Sequence, residues 1–158
     1  MFDVLVFVYE HYWRGDACPE LQQLERKLSA HGFEPEQIHE ALVWLDGLNF
    51  AAQNAAEDSS TLPEISASAS SLRVYSPQEQ EHLGAECLGF IAFLASSGVL
   101  PPTMREIVID RAMAASGDPV ALDDLKIIVL MVYWSFGKQP DALVLDELCD
   151  SPETRVAH

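Results

Sequence analysis

Residues 122–136 read LDDLKIIVLMVYWSF, and from Ile127 to Phe136 every side chain but Ser135 is apolar. The other helical stretches are amphipathic, with one face to bury. A helix apolar on all sides must be surrounded, so this segment is expected at the centre of a helical fold. A membrane span is the alternative. Ten residues, nine of them apolar, rise about 15 Å, half of a roughly 30 Å hydrocarbon core, and Asp123, Asp124 and Lys126 stand just before them. The length therefore points to a buried core helix. Asp118 or Asp123 is a suitable cap for its start, and Gly137 is the expected left-handed stop.

Upstream of that centre the first fifty residues read as three helices. Phe2 to Trp13 carries apolar residues at gaps of three and four, with a strand as the weaker alternative. Pro19 to Ala30 turns Leu21, Leu24 and Leu28 inward, and Gly32 stops it. A third helix runs from Glu34-Pro35 to about Phe50, with Ile38, Leu42, Leu45 and Leu48 inward and Val43 and Trp44 alongside. Residues 51–71, AAQNAAEDSSTLPEISASASS, are mostly small or polar and read as a linker and domain boundary.

Leu72 to Tyr75 alternates and suits a short extended segment. Ser76-Pro77-Gln78-Glu79 is a capping box, opening a helix to about Ser97 that buries Leu83, Cys87, Phe90, Ile91 and Leu94. Thr103-Met104-Arg105-Glu106 repeats that signature and starts a helix to about Ala115. A last short helix is expected from Asp141 to Cys149. The sequence thus predicts an all-α protein: an N-terminal three-helix bundle (1–50), a polar linker (51–71), a C-terminal bundle (72–150) around the apolar helix, and a frayed tail (151–158).

The 158 residues suffice for a self-supporting core, burying roughly 70% of the extended chain's surface. Nine basic residues face 25 acidic ones, a formal charge of −16. Residues 1–50 carry −6, residues 51–76 carry −2 and residues 77–158 carry −8, so the acidity is spread along the chain. That field repels nucleic-acid phosphates and anionic lipid and favours basic protein partners. Three widely spaced cysteines, Cys18, Cys87 and Cys149, argue against disulfides and zinc and fit a cytoplasmic location. The first residues lack a positive region and a small-residue cleavage site, unlike a signal peptide.

Few constellations offer chemistry, and no catalytic, cofactor-binding or metal-binding residue is assigned. His82 and Glu86 are four apart, but a metal needs more ligands. Glu106 and Asp110 are also four apart, between Arg105 and Arg111. Such a pair does acid–base work only where burial splits the two pKa values, and a charge network tying helices together is the plainer reading. Partner-binding candidates are acidic: Glu36 and Glu40 in the third helix, and Asp141, Asp146, Glu147 and Asp150 near the end. A helix-turn-helix reading of the first bundle would make Glu34–Phe50 the recognition helix. That helix has no Lys or Arg, which argues against direct DNA contact.

The segments MFDVLVFVYE, LERKLSAHGFEPEQIHEALVWLDGL, RVYSPQEQEHLGAECLGFIAFLASSGVL, REIVIDRAMA and LDDLKIIVLMV occur in this order. Together they resemble the Smg family of proteobacterial proteins, with RVYSP and REIVIDR the most specific parts. The resemblance implies a small cytoplasmic helical protein with no assigned catalytic activity and no established functional residues. Genes of such proteins often lie beside one for a DNA-processing protein. The expected function is therefore a non-catalytic interaction or regulatory protein. The alternatives are an accessory factor in nucleic-acid metabolism and an enzyme with carboxylate chemistry.

Overall fold

The computed structural model describes residues 1–12, 20–61, 74–115 and 119–138. Among the described residues the fold is all-helical, with six helices and no strand: α1 (Phe2–Tyr12), α2 (Leu21–Ala30), α3 (Pro35–Thr61), α4 (Pro77–Ser96), α5 (Pro102–Met113) and α6 (Leu122–Ser135). No described helix is long and apolar enough to cross a membrane. The helix expected at Asp141–Cys149, the tail from residue 151, and Leu72 and Arg73 lie outside the described residues. Val74 and Tyr75 are not in a strand, and Val74 is exposed.

Helix α6 sits where its composition requires. Leu125, Ile128, Val129, Met131 and Val132 are fully buried. Helices α1, α3, α4 and α5 all pack on it. Tyr133 donates its hydroxyl to the backbone oxygen of Val99, in the turn after α4. The helix ends as expected: Gly137 takes φ 62°. The Gly137 and Lys138 amides return to the carbonyls of Trp134 and Tyr133, at 2.9 and 3.0 Å. That closure satisfies carbonyls that the helix end would leave open. The start differs, because the cap is Ala121, with no side-chain bond. Asp123 and Asp124 instead occupy the first turn, where the helix dipole favours negative charge. Lys126 is 7% exposed, its ammonium 5.9 Å from the centre of the Phe90 ring.

The predicted end of the third helix at Phe50 falls inside α3, which continues to Thr61. Alanine-rich AAQNAA has good helix propensity, so a polar composition that reads as linker also propagates a helix already formed. Residues 62–71 of the expected linker lie outside the described residues. One apolar core takes residues from both expected units: Val4, Leu5, Leu24, Leu28 and Leu45 join Leu83, Ile91, Val108 and Ile128. Packing of α3 on α5 and α6 makes that continuity.

The capping box at Ser76 is formed in both directions. The Glu79 amide donates to Ser76 Oγ at 3.2 Å, and the Ser76 amide donates to Glu79 Oε2 at 2.8 Å. The same signature at Thr103 is not used. Helix α5 already begins at Pro102, with Pro101 as its cap. A proline's fixed φ preorganises a first turn without a side-chain bond, so the double proline overrides the threonine.

Helix α4 contains an unexpected break. Gly84 adopts φ 73°, ψ 167°, a conformation open only to glycine. The freed carbonyl of His82 accepts the Val120 amide at 2.8 Å. Cys87 Sγ donates to the Val120 carbonyl at 3.2 Å. The break therefore docks the segment before α6 into α4. Replacing Gly84 with Ala is expected to cost about 1–3 kcal/mol, read as a lower urea midpoint. Gly89→Ala, at a helical site with open space around it, should be neutral or stabilising by up to about 1 kcal/mol.

Candidate functional site

The REIVIDR segment lies in α5. Ile107, Val108 and Ile109 are buried, and the charged residues flank them. Arg111 grips the outer carboxylate of its neighbour: Nε and Nη2 both donate to Asp110 Oδ2, at 3.0 and 2.8 Å. Its guanidinium lies over Gly47 of α3, where a Cβ would overlap Nη1. Trp44, 3% exposed, donates its indole N–H to the Arg111 backbone oxygen at 3.0 Å. Arg111 Nη1 approaches the Trp44 carbonyl at 3.5 Å. This reciprocal junction joins α3 to α5, so Arg111 ties neighbouring helices together as the sequence suggested. Trp44 is a core residue whose one polar atom is satisfied.

The carboxylate pair does not form a reactive dyad here. The side chains of Glu106 and Asp110 are 48% and 62% exposed, and each is paired with an adjacent arginine. Both carboxylates face solvent and each is held by its own arginine, so neither has the burial that acid–base work by such a pair requires. His82 spends its Nε2 on the Ala112 carbonyl at 3.1 Å, and the Gly84 break interrupts the helical spacing that would align it with Glu86. Among the described residues no group of three or more His, Cys, Asp or Glu is placed to hold a metal.

Histidines far apart in sequence do meet. Phe7 of α1 stacks on His11, with ring centres 3.9 Å apart, and touches His31 and Phe33 at 4.5 and 5.4 Å. His11 and His31 are 6.1 Å apart, and His11 Nδ1 lies 2.9 Å from the Phe7 carbonyl. No spacing rule brings residues 11 and 31 together. The packing of α1 and α2 against α3 does so.

The candidate partner-binding residues that fall among the described ones lie on the outer face of α3. Glu36 and Glu40 are exposed there, as their candidate role requires. The other four candidates, Asp141, Asp146, Glu147 and Asp150, lie outside the described residues. Val43, expected alongside the core, is instead 59% exposed, and Phe50 is 67% exposed. The correction follows from helix phase. Ile38, Ala41, Leu45 and Leu48 fill the buried side, and Val43 and Phe50, seven apart, fall together on the other. Exposed Asp46 stands between them in sequence. The seven-residue interval was the available signal for this pair.

Cys87 is 1% exposed. Burial first, then the charges of Glu86 and Asp124, push its thiol up to about 11 from 9.0. Burial likewise raises Asp124, with Asp123 and Asp3 adding to the effect and the terminal amine opposing it. The raised carboxyl sits at the start of α6, close to α1.

The sequence pattern of the family described as Protein of unknown function (DUF494) spans residues 1–158. Proteins named Protein Smg homolog from Leptothrix cholodnii and Methylibium petroleiphilum are 61% and 58% identical over 158 residues, covering all of both chains. One from Bordetella pertussis is 46% identical over 159 residues, again across both full lengths. No solved structure matches the chain.

Two measurements check this geometry. Trp44→Phe keeps most of the ring and removes the donor, so chemical denaturation should show a loss of about 1–2 kcal/mol. Trp44→Ala should lose about 3–5 kcal/mol. Alkylation of Cys87, followed by peptide mass spectrometry, should be negligible in the native protein near neutrality and rise only towards pH 11. The unfolded thiol ionises first, near 9.0, so this group's contribution to stability is present below that pH and is lost as pH rises towards 11.

Proposed function

The chain belongs to the DUF494 family of proteins of unknown function, and from that premise we propose that it is a non-catalytic cytoplasmic interaction protein that docks a basic partner on the outer face of α3. The observation that carries this reading is the pair of exposed apolar side chains, Val43 at 59% and Phe50 at 67%. They share a helix with exposed Glu36, Glu40 and Asp46. Large apolar groups on an acidic helix face suit an amphipathic partner segment bearing Lys or Arg around an apolar anchor. The apolar contacts supply affinity and the carboxylates supply orientation and association rate. Helix α3 carries no Lys or Arg between Pro35 and Thr61. Arg111, whose guanidinium lies over Gly47 of this helix, is held by Asp110. Phosphate backbones therefore find no anchor there.

The test is purification of the tagged full chain from its host, with and without nuclease, beside Phe50→Glu and Glu36→Lys/Glu40→Lys variants. A partner that survives nuclease, is lost with Phe50→Glu and is weakened by the charge reversals is the expected outcome. Unchanged thermal midpoints should show that the variants fold. Partners lost on nuclease treatment would place the protein in nucleic-acid metabolism instead. A partner indifferent to all three substitutions would remove α3 as the docking face.

A further inference from the structure

The longest run without a charged residue is Cys87 to Met104, CLGFIAFLASSGVLPPTM, eighteen residues in a chain of formal charge −16. Its inner side is core: Cys87, Ile91, Leu94, Leu100 and Met104 are buried. Its outer side on α4 is exposed at Gly89, Ala92, Phe93, Ser96 and Ser97, with Phe93 at 57%. The two serines do not make that side polar. Ser96 Oγ donates to the Phe93 carbonyl at 3.1 Å, and Ser97 Oγ donates to the Phe93 and Leu94 carbonyls at 2.9 and 3.1 Å. Their hydroxyls are turned back onto the helix.

We propose that the outer face of α4 is a self-association surface, on which a second copy of this chain docks through its own α4. Charge selects the occupant. Two copies of a strongly acidic chain repel each other wherever carboxylates face carboxylates. The α3 face, with Glu36, Glu40 and Asp46, excludes a second copy for that reason and favours a basic partner. The α4 face offers a basic partner no carboxylate beyond Glu86 and offers a second copy little to repel it. Shape agrees with charge. A Cβ added at Gly89 meets nothing within 4 Å, so the helix surface has an open notch four residues before Phe93.

A two-fold contact is self-complementary, each residue facing a fixed counterpart. With antiparallel α4 helices related about residue 91, each Phe93 enters the notch at the partner's Gly89. Glu86 then faces the partner's Ser96 and not a second Glu86. One helix face is smaller than the roughly 800 Å² per partner of a standard interface, so the association is weak and concentration-dependent. This surface is separate from the α3 face and does not rest on the function proposed for it.

The test is analytical ultracentrifugation of the full chain over a wide concentration range, at low and high salt. The mass is expected to rise from the 17.5 kDa monomer towards twice that value with concentration. Higher salt should shift the equilibrium towards dimer, because it screens the repulsion between copies. A contact held by opposite charges would shift the other way. Phe93→Glu should abolish the dimer over the whole range, Gly89→Glu should do the same by filling the notch, and Phe50→Glu should leave it intact. A dimer that survives both α4 substitutions, or that Phe50→Glu abolishes, would overturn the assignment. So would a chain that is monomeric throughout, leaving the face to a different protein or to its own residues 139–158.

Discussion

A fourteen-residue helix with apolar side chains on every side has no stable place in water unless other helices cover it. α6 is that helix, and the rest of the fold is the covering. α1, α3, α4 and α5 each bury part of their apolar side against it. α2 is held at one remove, through α3. Because both the first and the last described helices contribute to this packing, the chain closes into one core around α6. Two local devices fix the closure: the Trp44–Arg111 exchange between α3 and α5, and the Gly84 break that seats Val120 beside Cys87.

Burying most of one helix, with Ile127 and Trp134 left half-buried, leaves the outer helices with faces that the core does not need. Their chemistry is divided. On α3 the outer face mixes Val43 and Phe50 with carboxylates. On α4 it carries no charge from Cys87 onward, with Phe93 beside a glycine notch. Formal charge alone describes an acidic surface, and only the placement of the charges distinguishes the mixed apolar and acidic face of α3 from the charge-poor face of α4. The ionisable groups with raised pKa values, Cys87, Asp124 and Tyr133, owe them first to burial at the packing of α6 on its neighbours. They report the packing of the core and lie away from both faces.

The residues that failed to follow their sequence reading did so for identifiable reasons. Val43 is apolar and adjacent to Trp44, yet helix phase puts the two on different sides. Thr103 carries a capping signature that the preceding prolines make redundant. Helix α3 outruns a linker-like composition because alanine extends a helix already nucleated and packed. Lys126 belongs to the polar start of α6, yet lies buried against Phe90, since its long apolar stem is covered with the rest of the turn.

Much of the local physics was legible in the sequence. The all-round apolarity of 127–136, the capping box at Ser76 and the glycines after α2, α4 and α6 are short-range statements, and dihedral limits and hydrogen-bond closure enforce them within one turn. They determined the helical class, the central element and most helix ends. Which faces meet was decided only by the tertiary structure, because contact between distant residues depends on how rigid helices cross and not on spacing along the chain. The encounter of His11 with His31, the laying of Arg111 across Gly47, the break at Gly84 and the exposure of Phe50 and Phe93 all arise at that level. The first three are contacts or strains that exist only once helices pack. The last is what remains of two amphipathic helices after α6 has taken the sides it needs.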